Sequence, residues 1–119
     1  MARCRMARGR SAVIGLWRAS LLDPEAYPAK ETSGSALFCY ALAWGVNHGI
    51  LPSEPYREAS IRAWSALAAC VDPDGRLTRV QPTGVAPKDF PANATGTYGV
   101  GGFLLAGSEV LKFAGSPTP

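Results

Sequence analysis

Glu31-Thr32-Ser33-Gly34-Ser35-Ala36-Leu37-Phe38-Cys39-Tyr40-Ala41-Leu42-Ala43-Trp44-Gly45-Val46-Asn47-His48-Gly49 is the segment from which an architecture can be inferred. From Ala36 to Val46 no side chain is charged and hardly one is polar. The run is too long for an ordinary strand, and its Ala and Leu content favours helix. A helix that is apolar nearly all round needs cover over most of its circumference. It falls short of the roughly 18 to 20 apolar residues that span a membrane. A hydroxyl at Thr32 or Ser33 suits its start, accepting from an otherwise unpaired backbone N–H. Gly49 ends it, because glycine takes the left-handed conformation without strain. The expected helix covers Gly34 to Asn47, and it belongs in a larger helical assembly than the remaining residues supply.

The chain has 119 residues, which suits one domain, and a formal charge of +3. Four of its twelve Lys and Arg are Arg3, Arg5, Arg8 and Arg10; the remaining eight face nine Asp and Glu, a net −1. The basic balance therefore comes from the first ten residues, and the scattered charges that follow argue against a nucleic-acid-binding face. Cys4, Cys39 and Cys70 are odd in number and widely spaced, and His48 is the single histidine. No metal-ligand spacing results, and the cysteines read as free thiols acting as small hydrophobes. After the N-terminal arginines, Ala12 to Trp17 is too short for the apolar core of a secretory signal and is stopped by Arg18. Together these features point to a reducing, cytoplasmic compartment.

Residues 1–14 read as a basic disordered leader, 15–115 as the structured portion and 116–119 as a tail. Gly15 to Lys30 is an irregular segment or a short strand near Leu16 to Arg18, since Asp23-Pro24 and Tyr27-Pro28 disfavour helix. A second helix is expected over Glu54 to Val71, with Ser53 as its cap and Ile61, Trp64, Leu67 or Ala68, and Val71 as its apolar stripe. The short Ile50-Leu51-Pro52 link makes it an antiparallel neighbour of the first. Asp72-Pro73-Asp74-Gly75 is a turn, and Leu77 to Val80 is at most a short strand. Gln81 to Thr97 is a long loop, a length that is often functional. The third helix, about Gly99 to Phe113, opens on several glycines, which implies close approach of another backbone or of a ligand. Its apolar stripe is Phe103, Ala106, Val110 and Phe113.

Several blocks resemble the C-terminal part of the unsaturated glucuronyl and rhamnogalacturonyl hydrolases, glycoside hydrolase families 88 and 105. They are Gly15-Leu16-Trp17-Arg18, Glu31 to Ala36, Tyr40 to Gly49, Ala63-Trp64, Asp74 to Leu77, Val80-Gln81-Pro82 and Tyr98 to Glu109. The resemblance runs from about Gly15 to Phe113; Met1 to Ile14 shows no counterpart. It implies an all-α fold, a partial (α/α)6 barrel of about three main helices plus long loops. The reaction it implies is removal of a terminal 4,5-unsaturated uronic acid from lyase-generated oligosaccharides. There an aspartic acid protonates the double bond and water adds beside it, with no metal or organic cofactor. The implied partner is an unsaturated uronyl oligosaccharide, with neither nucleic acid nor membrane. The family's aspartate lies in segments upstream of the block matching Trp17, so the chain reads as a fragment without it.

No catalytic residue is assigned. Trp17, Arg18, Glu31, Ser33 and Tyr98 are the substrate-binding candidates. An aromatic face stacks on sugar and Arg pairs with a carboxylate bidentately, although Trp17 also suits packing and Arg18 the surface. Capping alone explains Glu31, Thr32 and Ser33, yet a helix N-terminus also binds anions. Glu31 is expected to hold the helix start and orient Arg18. Tyr98 and the glycines after it either border a pocket or pack. Asp23, Asp72, Asp74 and Asp89 sit in turns or loops, away from apolar surroundings that would raise a carboxyl pKa. His48 reads as a helix-end residue. The alternatives are a non-catalytic helical module that binds carbohydrate or protein, and an inactive gene remnant. Three helices cannot close a twelve-helix barrel, so some of Leu37, Phe38, Tyr40, Leu42, Trp44, Phe103 and Leu104 are expected to face solvent.

Overall fold

The computed structural model describes residues 15–84 and 88–115. The leader expected at 1–14 and the tail at 116–119 lie outside the described residues. Three helices form: α1 (Thr32–Asn47), α2 (Ser53–Ala68) and α3 (Thr97–Leu111), the last followed by a 3₁₀ turn over Lys112–Ala114. No strand forms among the described residues; the extended pieces meet only as isolated antiparallel bridges, Arg18 with Lys30 and Val71 with Leu77. The pieces expected as strands spend their backbone groups elsewhere. Thr32 N donates to Arg79 O, Arg79 N to Ala92 O and Val80 N to Ala94 O.

The start of α1 corrects one expectation. Its N-cap is Glu31, whose carboxylate accepts from the backbone N–H groups of Ser33 and Gly34. The Thr32 hydroxyl instead donates to Thr78 O at 2.7 Å. At the other end His48 is the C-cap and Gly49 follows at φ +70°, the left-handed turn the sequence implies. The second helix also departs from expectation. Pro52 occupies its N-cap without a side-chain bond, and it ends at Ala68, three residues early. It stops because Val71 turns to pair with Leu77, and Cys70 O accepts from the amide and hydroxyl of Thr78. Its buried face is Ser60, Ala63 and Leu67, with Ile61 outside it.

Contacts at both ends fix how the helices run. Gly102 on α3 lies against Ala36 and Leu37 near the start of α1. Near the other end Asn47 Nδ2 donates to the carbonyl and carboxylate of Glu109. Helices α1 and α3 are therefore parallel. Helix α2 returns antiparallel: Trp64 stacks on Phe103 and covers Gly107, while Arg57 near its start reaches the Phe113 carbonyl at the far end of α3. The core is Leu16, Trp17, Ala36, Cys39, Ala63, Leu67 and Ala106. Most of these are small, which brings backbones close but buries little apolar area per residue. Burial pushes the Cys39 thiol up to about 12, so this cysteine is a core residue rather than a nucleophile.

Much apolar surface stays in water. Leu37 is 54% exposed, Trp44 37%, Leu104 64% and Leu111 73%, and Phe38 and Leu105 are exposed as well.

Two glycines of α3 differ sharply in surroundings. A Cβ on Gly107 would sit 2.7 Å from the Trp64 ring, whereas one on Gly101 would meet nothing within 4 Å. Gly107→Val is expected to destabilise the chain by about 1–3 kcal/mol through overpacking. Gly101→Ala is expected to stabilise it by about 0.5–1 kcal/mol. Urea unfolding of both variants tests the pair. Hydrogen bonds from Asn47 and Lys112 hold the Glu109 carboxyl below its usual 4.5. A depressed folded value adds stability above the unfolded value and loses it as pH falls through the folded one. The urea midpoint should therefore drop on acidification below about 4.5, and Glu109→Gln should remove that part of the slope.

Candidate substrate-facing end of the helices

Because α1 and α3 are parallel, their N-termini lie at the same end of the molecule. The five candidate residues distribute around that end. Trp17 and Arg18 arrive on the extended piece that runs beside the start of α1. Glu31 N donates to Trp17 O at 3.1 Å and Ala19 N to Ala29 O at 3.0 Å. Ser35 locks the piece in place: its hydroxyl accepts from Trp17 N at 2.8 Å and donates to Glu31 O at 2.6 Å. Sequence alone does not mark Ser35 as a site residue. Its position four residues after Glu31 is a signal for a back-bonding hydroxyl, but nothing local identifies Trp17 as its second partner.

The Trp17 ring is only 6% exposed and packs at 5.0 Å from Phe38. Its face is used in the core, while its Nε1 is buried with no hydrogen-bond partner among the described residues. Arg18 is more open. Its Nη1 donates to Pro24 O at 3.2 Å and pairs with the Glu25 carboxylate at 3.5 Å. Glu31 does not orient it, contrary to expectation, because both carboxylate oxygens of Glu31 turn the other way. Oε2 accepts from the amide and hydroxyl of Ser33 at 2.9 and 2.6 Å, and Oε1 from Gly34 N at 2.5 Å. The positive end of α1 thus already holds a carboxylate, its own.

Helix α3 begins differently. Its N-cap is Gly96, with no side-chain cap bond. A shallow cavity of about 300 Å³ lined by Thr95, Gly96, Thr97 and Val100 lies over this end. Tyr98 is half exposed beside it, and its hydroxyl donates to Gln81 O. Residues 78–80 join the two helix starts: Thr32 binds Thr78 and Arg79 on one side, and Val80 packs on Gly99 on the other. Trp17, Glu31 and Ser33 therefore form one bonded cluster with Ser35. Arg18 stands at its edge, and Tyr98 stands apart on α3.

Among the described residues no group of three or more His, Cys, Asp or Glu is placed to hold a metal ion. No helix there is long and apolar enough to cross a membrane. Glu31 is consumed by the cap and Glu109 is held ionised, while Asp74 and Asp89 are exposed on turns or loops.

Glu31→Ala should cost about 1–2 kcal/mol of stability, the usual value of a helix N-cap. Amide hydrogen exchange should speed up at Ser33 and Gly34 before it does anywhere else in α1. Unchanged exchange at both amides would refute the cap assignment.

Comparison with known proteins agrees with this build. The Glycosyl Hydrolase Family 88 model matches residues 7–114, starting earlier than the blocks from Gly15 onward and within the segment that showed no counterpart. An unsaturated 3S-rhamnoglycuronyl hydrolase from Formosa agariphila is 51% identical over 98 residues, which is 82% of this chain and 26% of that protein. The structure of a glycosyl hydrolase of family 88 from Bacteroides vulgatus superposes with a TM-score of 0.76 at 38% identity, over 84% of this chain and 30% of its own. A structure described as a polysaccharide lyase superposes with a TM-score of 0.77 at 35% identity, over 99% of this chain and 37% of its own. The chain thus spans about a quarter to somewhat over a third of the proteins it matches. Its helices form a partial (α/α)6 barrel, with the parallel pair α1 and α3 alternating with the antiparallel α2. A match that takes in nearly every residue, carried by helices that superpose on a solved member, makes this chain part of glycosyl hydrolase family 88.

Proposed function

We propose that this chain forms one wall of a glycoside hydrolase that removes a terminal unsaturated uronic acid from oligosaccharides, and that the end where α1 and α3 begin faces the sugar. The observation that carries this reading is the gathering of Trp17, Arg18, Glu31 and Ser33 around the start of α1, level with the uncapped start of α3 that carries Tyr98. Arg18 supplies the cation for the uronate carboxylate. Its present partner Glu25 is largely exposed, so that ion pair is weak and easily exchanged. Tyr98 offers a half-exposed ring beside the cavity for a sugar face. Glu31 and Ser33 hold the helix start rigid, and Trp17 supports Arg18 from the core. The proton donor comes from barrel residues outside this sector, since the carboxylates here are capped, held ionised or solvated.

The test is loss of absorbance of the conjugated double bond of an unsaturated uronyl disaccharide. The 119-residue chain alone should show no turnover. A hybrid of the Formosa agariphila relative, with its matched segment replaced by this chain, should turn the disaccharide over. Removing a charged hydrogen bond costs about 1.5–3 kcal/mol, so Arg18→Ala in the hybrid should lower kcat/KM by about 10- to 100-fold. Turnover by the isolated chain, or an indifferent Arg18→Ala hybrid, would reject this assignment.

A further inference from the structure

We propose that Ser35 is the positioning residue for Arg18: its hydroxyl fixes the path of residues 17–19 against α1, and so the place from which the guanidinium reaches a uronate carboxylate. The proposal rests on the uronyl-hydrolase reading above and extends it from the residue that meets the substrate to the one that aims it.

Arg18 carries its charge on a long stem with many rotamers, so its reach depends on where its backbone is tied. Bidentate pairing with a carboxylate adds a demand on direction as well as distance. Three bonds hold the backbone on either side of it. Trp17 N donates to Ser35 Oγ at 2.8 Å, Glu31 N to Trp17 O at 3.1 Å and Ala19 N to Ala29 O at 3.0 Å. The second and third end on residues that precede α1, whereas the first ends inside the helix. The same hydroxyl donates to Glu31 O at 2.6 Å. A serine hydroxyl has one proton and two lone pairs, enough for both bonds. Ser35 is fully buried, so no solvent competes for either. Upstream, Gly15 at φ +80° presses on α2, where an added Cβ would lie 2.6 Å from Ala66 Cβ. Residues 15–17 are all buried, and Arg18, with 27% of its side chain exposed, is the first past that clamp to reach water.

The test is a double-mutant cycle in the hybrid with the Formosa agariphila relative. Ser35→Ala removes both bonds and should lower kcat/KM by about tenfold, chiefly through KM, since misplacing a binding group by about 1 Å can cost about 100-fold. In an Arg18→Ala background the same substitution should change kcat/KM by less than about twofold, because the group it aims is gone. A serine with a structural role alone would cost the same in both backgrounds. Thr32→Ala is the control: its hydroxyl is also fully buried on α1 but donates to Thr78 O, and its cost should be equal in both. Hydrogen exchange on the 119-residue chain reads the clamp without turnover. Ser35→Ala should speed exchange at Trp17 and Ala19 by about tenfold or more relative to Val80, and Thr32→Ala should not. Equal cost of Ser35→Ala in both backgrounds, an undiminished kcat/KM, or unchanged exchange at Trp17 and Ala19 would overturn the proposal. A hybrid without turnover, or one indifferent to Arg18→Ala, rejects the hydrolase reading together with it. A costly Arg18→Ala with an additive Ser35→Ala rejects the positioning role alone.

Discussion

Gly102 sits against Ala36 at a spacing that would leave any added side chain in contact, and Ala43 and Ala106 are fully buried. This close approach of α1 and α3 is the constraint on which the remaining placements depend. Small residues let two helix backbones approach; their cost is the little apolar area each one buries. At the far end of the pair, Asn47 and Glu109 fasten the helices through a charge-assisted bond. The two contacts together set the helices parallel, with one returning helix between them, the alternation on which an α/α barrel is built.

The polar cluster at the start of α1 depends on the same geometry. Thr32 and Ser35 are fully buried, and each spends its hydroxyl on a distant backbone group. Their partners are the extended pieces at Trp17 and Thr78, which have no sheet to join. Hydroxyls on α1 thus replace the ladder that a strand would have supplied, and buried backbone groups stay paired. Trp17, Thr78 and Arg79 are held at the start of α1 by these bonds, while Arg18 and Tyr98 stand at the margins.

Two features of this molecule fit a partial ring of helices. Leu104 and Leu111 stand in water, and the buried Trp17 indole nitrogen has no acceptor among the described residues. Both are what a sector cut from a closed ring of helices would show, because its flanks were shaped against neighbours. Glu31 serves a helix cap, Glu109 a tie between helices and Glu25 a surface pair.

The sequence by itself determined the three helices, their order and the all-α class, because an uncharged run such as Ala36 to Val46 has few other outcomes and Gly49 has the one conformation that ends it. Ordered blocks from Gly15 to Glu109 also carried the family, and exposed apolar residues followed from the mismatch between an all-round apolar helix and a short chain. What the sequence left to the tertiary structure are choices among chemically equivalent groups. Thr32, Ser33 and Glu31 are all competent caps; Glu31 takes the role because the Thr32 hydroxyl is drawn to Thr78, forty-six residues away. Arg18 has several carboxylates within reach of a flexible stem, and only the folded path of residues 18–25 assigns it Glu25. The end of α2 is set by the pairing of Val71 with Leu77, not by its own apolar period. Capping, pairing and termination are decided by partners distant in sequence, and a local pattern holds no record of which distant partner arrives.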